Sequence, residues 1–104
     1  MNESEFNRLV DRTMAAIEDA IDDSGADIDF DQQGGVLTLS FENGSKLIFS
    51  RQPPLKQLWL AAPAGGFHFD WADGEWQLPD GRALNTLVNQ FASDLAGEAL
   101  HLEF

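Results

Sequence analysis

Ten carboxylates crowd the first third of this chain, eight of them Asp11, Glu18, Asp19, Asp22, Asp23, Asp27, Asp29 and Asp31. No cysteine occurs anywhere, and neither histidine lies among them. All-oxygen donor sets of this kind suit hard cations such as Ca²⁺, Mg²⁺, Mn²⁺ and iron. At about 100° per residue on a helix, Asp11, Glu18 and Asp22 fall on one line opposite an apolar stripe, with Asp19 and Asp23 flanking it. Glu18/Asp22 and Asp19/Asp23 are like-charge i,i+4 pairs, each costing roughly 0.2–0.5 kcal/mol. They also sit in the last turns of the helix, where the backbone dipole favours cations. Selection for helix stability alone would not write this segment. Asp27, Asp29 and Asp31 follow at a spacing of two, which predicts carboxylates on one face of a strand. The expected result is one ridge of about seven acids. An EF-hand reading of Asp27-x-Asp29-x-Asp31 fails, because Gln32 stands where the loop needs Gly and Thr38 where it needs Glu. The ridge therefore predicts weak binding on an open surface, with no rigid cage.

The elements that must carry these acids are legible in the periodicity. Asn2 and Glu5 form a capping box, and Phe6, Leu9, Val10, Thr13, Met14, Ile17, Ala20 and Ile21 follow helical spacing. A first helix is predicted over Glu3–Asp23, ended by Gly25. Alternating segments follow: Asp27–Asp31, Val36–Glu42, Lys46–Arg51, Leu55–Ala61, a strand bearing Phe67, Phe69 and Trp71, and a short one with Trp76 and Leu78. Turns are expected at Asn43-Gly44, Pro53-Pro54, Gly65-Gly66 and Asp73-Gly74. A second helix carries Leu84, Leu87, Val88, Phe91 and Leu95 and stops at Gly97. The tail alternates Leu100, Leu102 and Phe104 and is predicted to pack as an extended segment. Short turns make neighbouring strands antiparallel, and each strand has one apolar side. The predicted fold is α+β: a single domain over residues 1–104, a two-layer α/β sandwich with two helices on one face of an antiparallel sheet of about six strands.

Composition narrows the function classes. The 104 residues include 8 Phe and 3 Trp, enough for a proper core. Eighteen acids oppose six basic residues, a net charge of −12. Residues 1–31 hold ten acids and two arginines, net −8, so most of the charge sits in the segment described above. Nucleic acid is excluded as a natural partner, since phosphate contacts need Lys and Arg. Cations or a basic protein surface fit instead. No stretch reaches the ~20 apolar residues of a membrane span. The polar, acidic opening has no signal-peptide pattern, and the expected location is the cytoplasm.

A second candidate surface lies on the sheet. In the strand holding Leu58 and Leu60, the aliphatic pair is the better core set, which places Gln57 and Trp59 on the open face near Thr38, Ser40 and Gln52. An aromatic on a polar sheet is an interaction anchor. Both histidines, His68 and His101, lack partners at metal or triad spacing and are expected at the surface. There is no phosphate loop, H-E-x-x-H or nucleophile elbow. The expectation is a binding protein, not an enzyme.

The block Asn43-Gly44-Ser45-Lys46-Leu47-Ile48, then Arg51-Gln52-Pro53-Pro54-Leu55-Lys56-Gln57-Leu58-Trp59-Leu60-Ala61, then Gly65-Gly66-Phe67-His68-Phe69-Asp70, closely resembles the frataxin family, its bacterial members above all. Glu5-Phe6, the helical acids and Gly34-Gly35-Val36-Leu37-Thr38 match in the same order, so the resemblance spans essentially the whole chain. It implies two helices on one antiparallel sheet. It also implies an adaptor or regulator of iron–sulfur cluster assembly that binds ferrous and ferric iron weakly and contacts the cysteine desulfurase and the scaffold protein. The iron ridge carries over onto Glu18, Asp19, Asp22, Asp23, Asp27, Asp29 and Asp31, with Asp11 and Glu3 as outliers. The protein contacts carry over onto Glu18, Asp19, Asp22 and Asp23, and on the sheet onto Gln52, Gln57 and Trp59. A monomer is expected, with oligomers forming on iron, and other divalent cations could occupy the ridge. Two alternatives stand beside this reading: a pure interaction module with incidental metal binding, and a ferroxidase. Ser50 departs from the family pattern, which usually has Asn there, and the turn Ser24-Gly25-Ala26 is short and free of acids.

Overall fold

The computed structural model describes all residues, Met1–Phe104. Helix α1 spans Glu3–Ser24. Its N-terminus is closed by Asn2, whose side-chain oxygen accepts the Glu5 N–H at 2.8 Å, satisfying one of the free donors of the first turn. Its C-terminus is closed by Gly25 in the left-handed region, φ 68°, a conformation that costs glycine little. Six strands follow: β1 (Ile28–Gln33), β2 (Val36–Phe41), β3 (Lys46–Gln52), β4 (Gln57–Ala62), β5 (Gly65–Ala72) and β6 (Glu75–Gln77). Helix α2 spans Leu84–Ala96. The strands form one antiparallel sheet in sequence order, β1 to β6, as short turns require.

One sheet face and both helices share a core. Leu37, Leu39, Phe41, Leu47, Phe49, Leu58, Leu60 and Phe69 are buried from the sheet, with Phe6, Val10, Met14, Ile17 and Ile21 from α1 and Leu84, Leu87, Val88 and Ala92 from α2. Every buried side chain in the protein is apolar. Trp76 fixes α1 to the last strand. Its ring meets Phe6 edge-on at 6.0 Å, and its indole N–H donates to the Thr13 hydroxyl at 2.9 Å. The tail is pinned in extended form by two side chains of α2. The Leu102 N–H donates to Asn89, which returns a bond to the Leu102 carbonyl, and the Leu100 N–H donates to Ser93.

Four details differ from the sequence reading. First, β1 begins at Ile28, because the Ile28 N–H closes a tight turn on the Ala26 carbonyl. Asp27 therefore lies before the strand and does not share a strand face with Asp29 and Asp31. Second, β4 begins at Gln57 instead of Leu55. Pro53–Leu55 make a short 3₁₀ turn, and Lys56 follows at φ 54°. Third, the β4–β5 turn is Pro63-Ala64, with Ala62 opposite Gly65 and Ala61 opposite Gly66. Proline presets the first central position of such a turn, and the two glycines open β5. Fourth, Asp11 is not on the far side of α1. Its carboxylate reaches the Arg51 guanidinium of β3 at 2.7 Å.

Candidate metal- and partner-binding surfaces

The acids divide into groups held by different elements. The last two turns of α1 carry Glu18, half-buried, and Asp19, Asp22 and Asp23, all exposed, with no basic residue in the final turn. Gly25–Asp27 then lead into the edge strand. Because Ile28 and Phe30 face the core, Asp29 and Asp31 face the open side of the sheet, opposite Ser40 and Thr38 of β2. The helical acids and the strand acids thus stand on either side of the β1 edge. No group of three or more acidic or histidine side chains converges closely enough to cage an ion. The helical and strand acids are without ion-pair partners, whereas Asp11 is bound to Arg51, so the Asp11 end of α1 is joined to the sheet by an ion pair and the ridge end only by the packing of Ile17, Ala20 and Ile21.

Asp27 belongs to a different neighbourhood. The β1–β2 register sets Ile28 against Phe41, which brings Asp27 beside Glu42 in the following turn. A hydrogen bond with Asp27 and that residue's charge, followed by partial desolvation and the charge of Glu98, raise the Glu42 pKa. Asp94 and Glu98, at the end of α2, complete the acidic rim of a cleft of ≈ 340 Å³. Glu42, Asp94 and Glu98 were missed in the sequence. The signal for Glu42 was present: a turn centred near Asn43-Gly44 returns β3 beside β2 and leaves Glu42 at the sheet end that Asp27 enters. For Asp94 and Glu98 the placement depends on how α2 lies across the sheet, which periodicity does not encode.

The second surface is built more tightly. Leu58 and Leu60 are buried, so Gln57 and Trp59 stand on the open face as expected. The His68 ring, directly across from Trp59 on β5, stacks on the indole with centroids 4.0 Å apart and planes within 10°. The Trp59 Nε1–H donates to Gln57 Oε1 at 3.0 Å, and Gln57 Nε2 donates to Asp70 Oδ1 at 3.2 Å. Gln52 lies opposite Gln57 on β3. The structure thus brings Gln52, Gln57 and Trp59 together and adds His68 and Asp70, which the sequence reading did not select. Sheet surface and helical ridge remain separate patches.

A family model described as a frataxin-like domain matches residues 1–98. The chain belongs to the frataxin family. It is 45% identical over 104 residues to the iron-sulfur cluster assembly protein CyaY of Paraburkholderia xenovorans, covering 99% of each. It is 52% identical over 102 residues to the protein of the same name from Pseudomonas aeruginosa, covering 94% of each. Among solved structures, the frataxin of Psychromonas ingrahamii superposes with a TM-score of 0.93 at 41% identity over the whole of both chains. A trimeric frataxin of the yeast Saccharomyces cerevisiae, solved in a ferrous complex, superposes with a TM-score of 0.70 at 28% identity, covering 90% of this chain and 87% of that one. The six-stranded sheet and two helices match the frataxin architecture. No helix is long and apolar enough to cross a membrane.

Proposed function

We propose that this chain is an iron-binding adaptor of iron–sulfur cluster assembly, working in the cytoplasm by binding and not by catalysis. The relatives named as assembly proteins supply the process. The observation that carries the metal reading is the set of exposed, unpaired acids at the C-terminal end of α1, where neither the helix dipole nor a basic neighbour compensates them. Such a set is relieved by a cation or by a basic protein surface. Iron would be held loosely by Glu18, Asp19, Asp22, Asp23, Asp29 and Asp31, with Asp27 contributing from the adjoining turn. Exposed carboxylates on flexible side chains give several weak sites instead of one tight one. The cysteine desulfurase would dock through a basic patch on the same helix, steered by its charge, and the scaffold protein through Gln52, Gln57 and Trp59.

A specific observation favours a second reading, an interaction module whose metal binding is incidental: the ridge acids do not converge, whereas the Trp59 surface is organised. An anaerobic ferrous titration followed by amide NMR, with Ca²⁺ in parallel, separates the two. Losses or shifts confined to residues 18–31, with Trp59 silent, support the iron ridge. A diffuse response, or none, places the interaction module first. In a separate aerobic assay with ferrous iron, oxygen consumption with turnover would instead make the protein a ferroxidase.

A further inference from the structure

The Trp59–His68 stack covers one face of an indole that is half-buried overall. Adjacent strands stand about 4.8 Å apart, and the two rings lie 4.0 Å apart and nearly parallel across β4 and β5. Both rings must therefore stand up from the sheet with their faces turned along the inter-strand direction. One face of the Trp59 indole is covered by His68. The other looks toward β3, where the residue directly opposite is Ser50. Serine is too short to cover an indole. Neither Ser50 nor Gln52, two residues along the same face, spends its side chain on a hydrogen bond within the protein.

The geometry points to a slot between Trp59 and Ser50 that receives the guanidinium of an arginine from a partner protein. A planar cation stacks on an indole more favourably than on any other aromatic ring, and a guanidinium is flat and weakly hydrated where an ammonium is compact and strongly hydrated. Its N–H groups would meet free acceptors in the Ser50 hydroxyl and the Gln52 amide oxygen. The surrounding charge has the matching sign: the open face carries Asp29, Asp31, Asp70 and Glu75 against Lys46 alone among Lys and Arg. The bond from Trp59 Nε1–H to Gln57, itself tied to Asp70, holds the indole upright before a partner arrives. The completed arrangement is three layers: imidazole, indole, guanidinium. The inference deepens the sheet-face contact proposed above, naming the side chain a partner must present.

The test uses the intact chain with N-acetyl-arginine amide as probe and N-acetyl-lysine amide as control, read at the Trp59 indole N–H resonance, assigned with Trp59→Phe. The arginine probe should move that resonance saturably and bind about fivefold more tightly than the lysine probe. Ser50→Leu, which fills the slot, should abolish the response while the His68 ring resonances keep their stacked shifts. Trp59→Leu, on the open face, should lose the Ser50 and Gln52 amide responses. Equal binding of both probes, or an arginine response that survives Ser50→Leu in a folded protein, would overturn the slot. Neither iron nor a partner protein enters the titration, so its failure leaves the ridge and adaptor reading standing.

Discussion

The two candidate surfaces are built on opposite principles. At the end of α1 the acidic side chains carry like charge, make no ion pairs and, apart from half-buried Glu18, are exposed. On the open sheet face, Trp59 is stacked, hydrogen-bonded and braced through Gln57 and Asp70. A repulsive array of mobile carboxylates can relax around ions of different size or a shifting basic surface, so it supplies attraction without shape. A preoriented indole supplies shape and loses little freedom on binding. On the proposed function, weak, salt-sensitive recognition would belong to the ridge, and selective recognition to the sheet.

The largest way to break this contrast is Trp59→Ala. An aromatic anchor at the centre of an interface is worth about 2–4 kcal/mol, so affinity for the proposed scaffold partner should fall roughly 30-fold to 1,000-fold. The ferrous titration of residues 18–31 should be unchanged, and the loss should persist at high salt. Calorimetric titration at two ionic strengths reads both. A loss that salt erases would mean the sheet face also works mainly through charge.

The limits of the sequence show in the same two places. The β4–β5 turn was expected at Gly65-Gly66 and lies at Pro63-Ala64. That displacement slides the register by four residues, and with the expected turn Trp59 would face Ala72 instead of His68. An even slip keeps every side chain on its own face of the sheet. This is why Leu58, Leu60, Phe67 and Phe69 were assigned to the core side correctly while the stack on Trp59 went unseen. Alternation encodes faces, and turns encode neighbours. The ridge tells a similar story. Helical phase identified Glu18, Asp19, Asp22 and Asp23, but the one-residue question of where β1 begins decided whether Asp27 joined Asp29 or turned toward Glu42. Asp11 was misplaced because its partner, Arg51, is forty residues away on the inner side of β3, beyond the reach of any local pattern.

Arg51 gives the first half of α1 a polar tie to the sheet that the ridge end lacks. Its side chain is 18% exposed, donates to Asn7 at 3.1 Å and to Asp11 at 2.7 Å, and lies against Met14. Its Nε is buried without a partner, so the local arrangement is already imperfect and the two Nη bonds carry the interaction. Arg51→Leu should cost about 1–3 kcal/mol in urea unfolding, the range for losing hydrogen bonds to a charged group and leaving acceptors unpaired. Asp11→Asn should cost less, because that carboxylate is largely exposed. An equal loss in the two variants would mean that Asn7 contributes little.

The ridge should respond in the opposite direction. Neutralising Glu18 and Asp19 together, as Glu18→Gln and Asp19→Asn, removes one member of each like-charge i,i+4 pair. Stability should rise by about 0.4–1 kcal/mol at low salt. The gain should shrink as NaCl or Mg²⁺ is added, since screening and binding already relieve the wild-type repulsion. Thermal melts across a salt series check this. Indifference of both proteins to salt would show that the acids stand too far apart to interact.

The smallest effect tests the acidic cleft in which Asp27 turns away from the other ridge acids. The Glu42 pKa is raised above its ordinary value, chiefly by its hydrogen bond with Asp27 and then by that residue's charge. A carboxyl that holds its proton more tightly folded than unfolded contributes stability that is fully present below its unfolded pKa and lost as pH rises through the folded one. The wild-type protein therefore gives up this contribution on passing from acidic to neutral pH. Glu42→Gln keeps a hydrogen-bond donor beside Asp27 at every pH, so its melting temperature should exceed wild type at pH 7 and converge with it near pH 4. The site is exposed, and the difference should be small and reduced by salt. If the gap between the two proteins stayed constant over that range, Asp27 and Glu42 would not share a proton. Asp27 would then be free to join Asp29 and Asp31 as a member of the ridge.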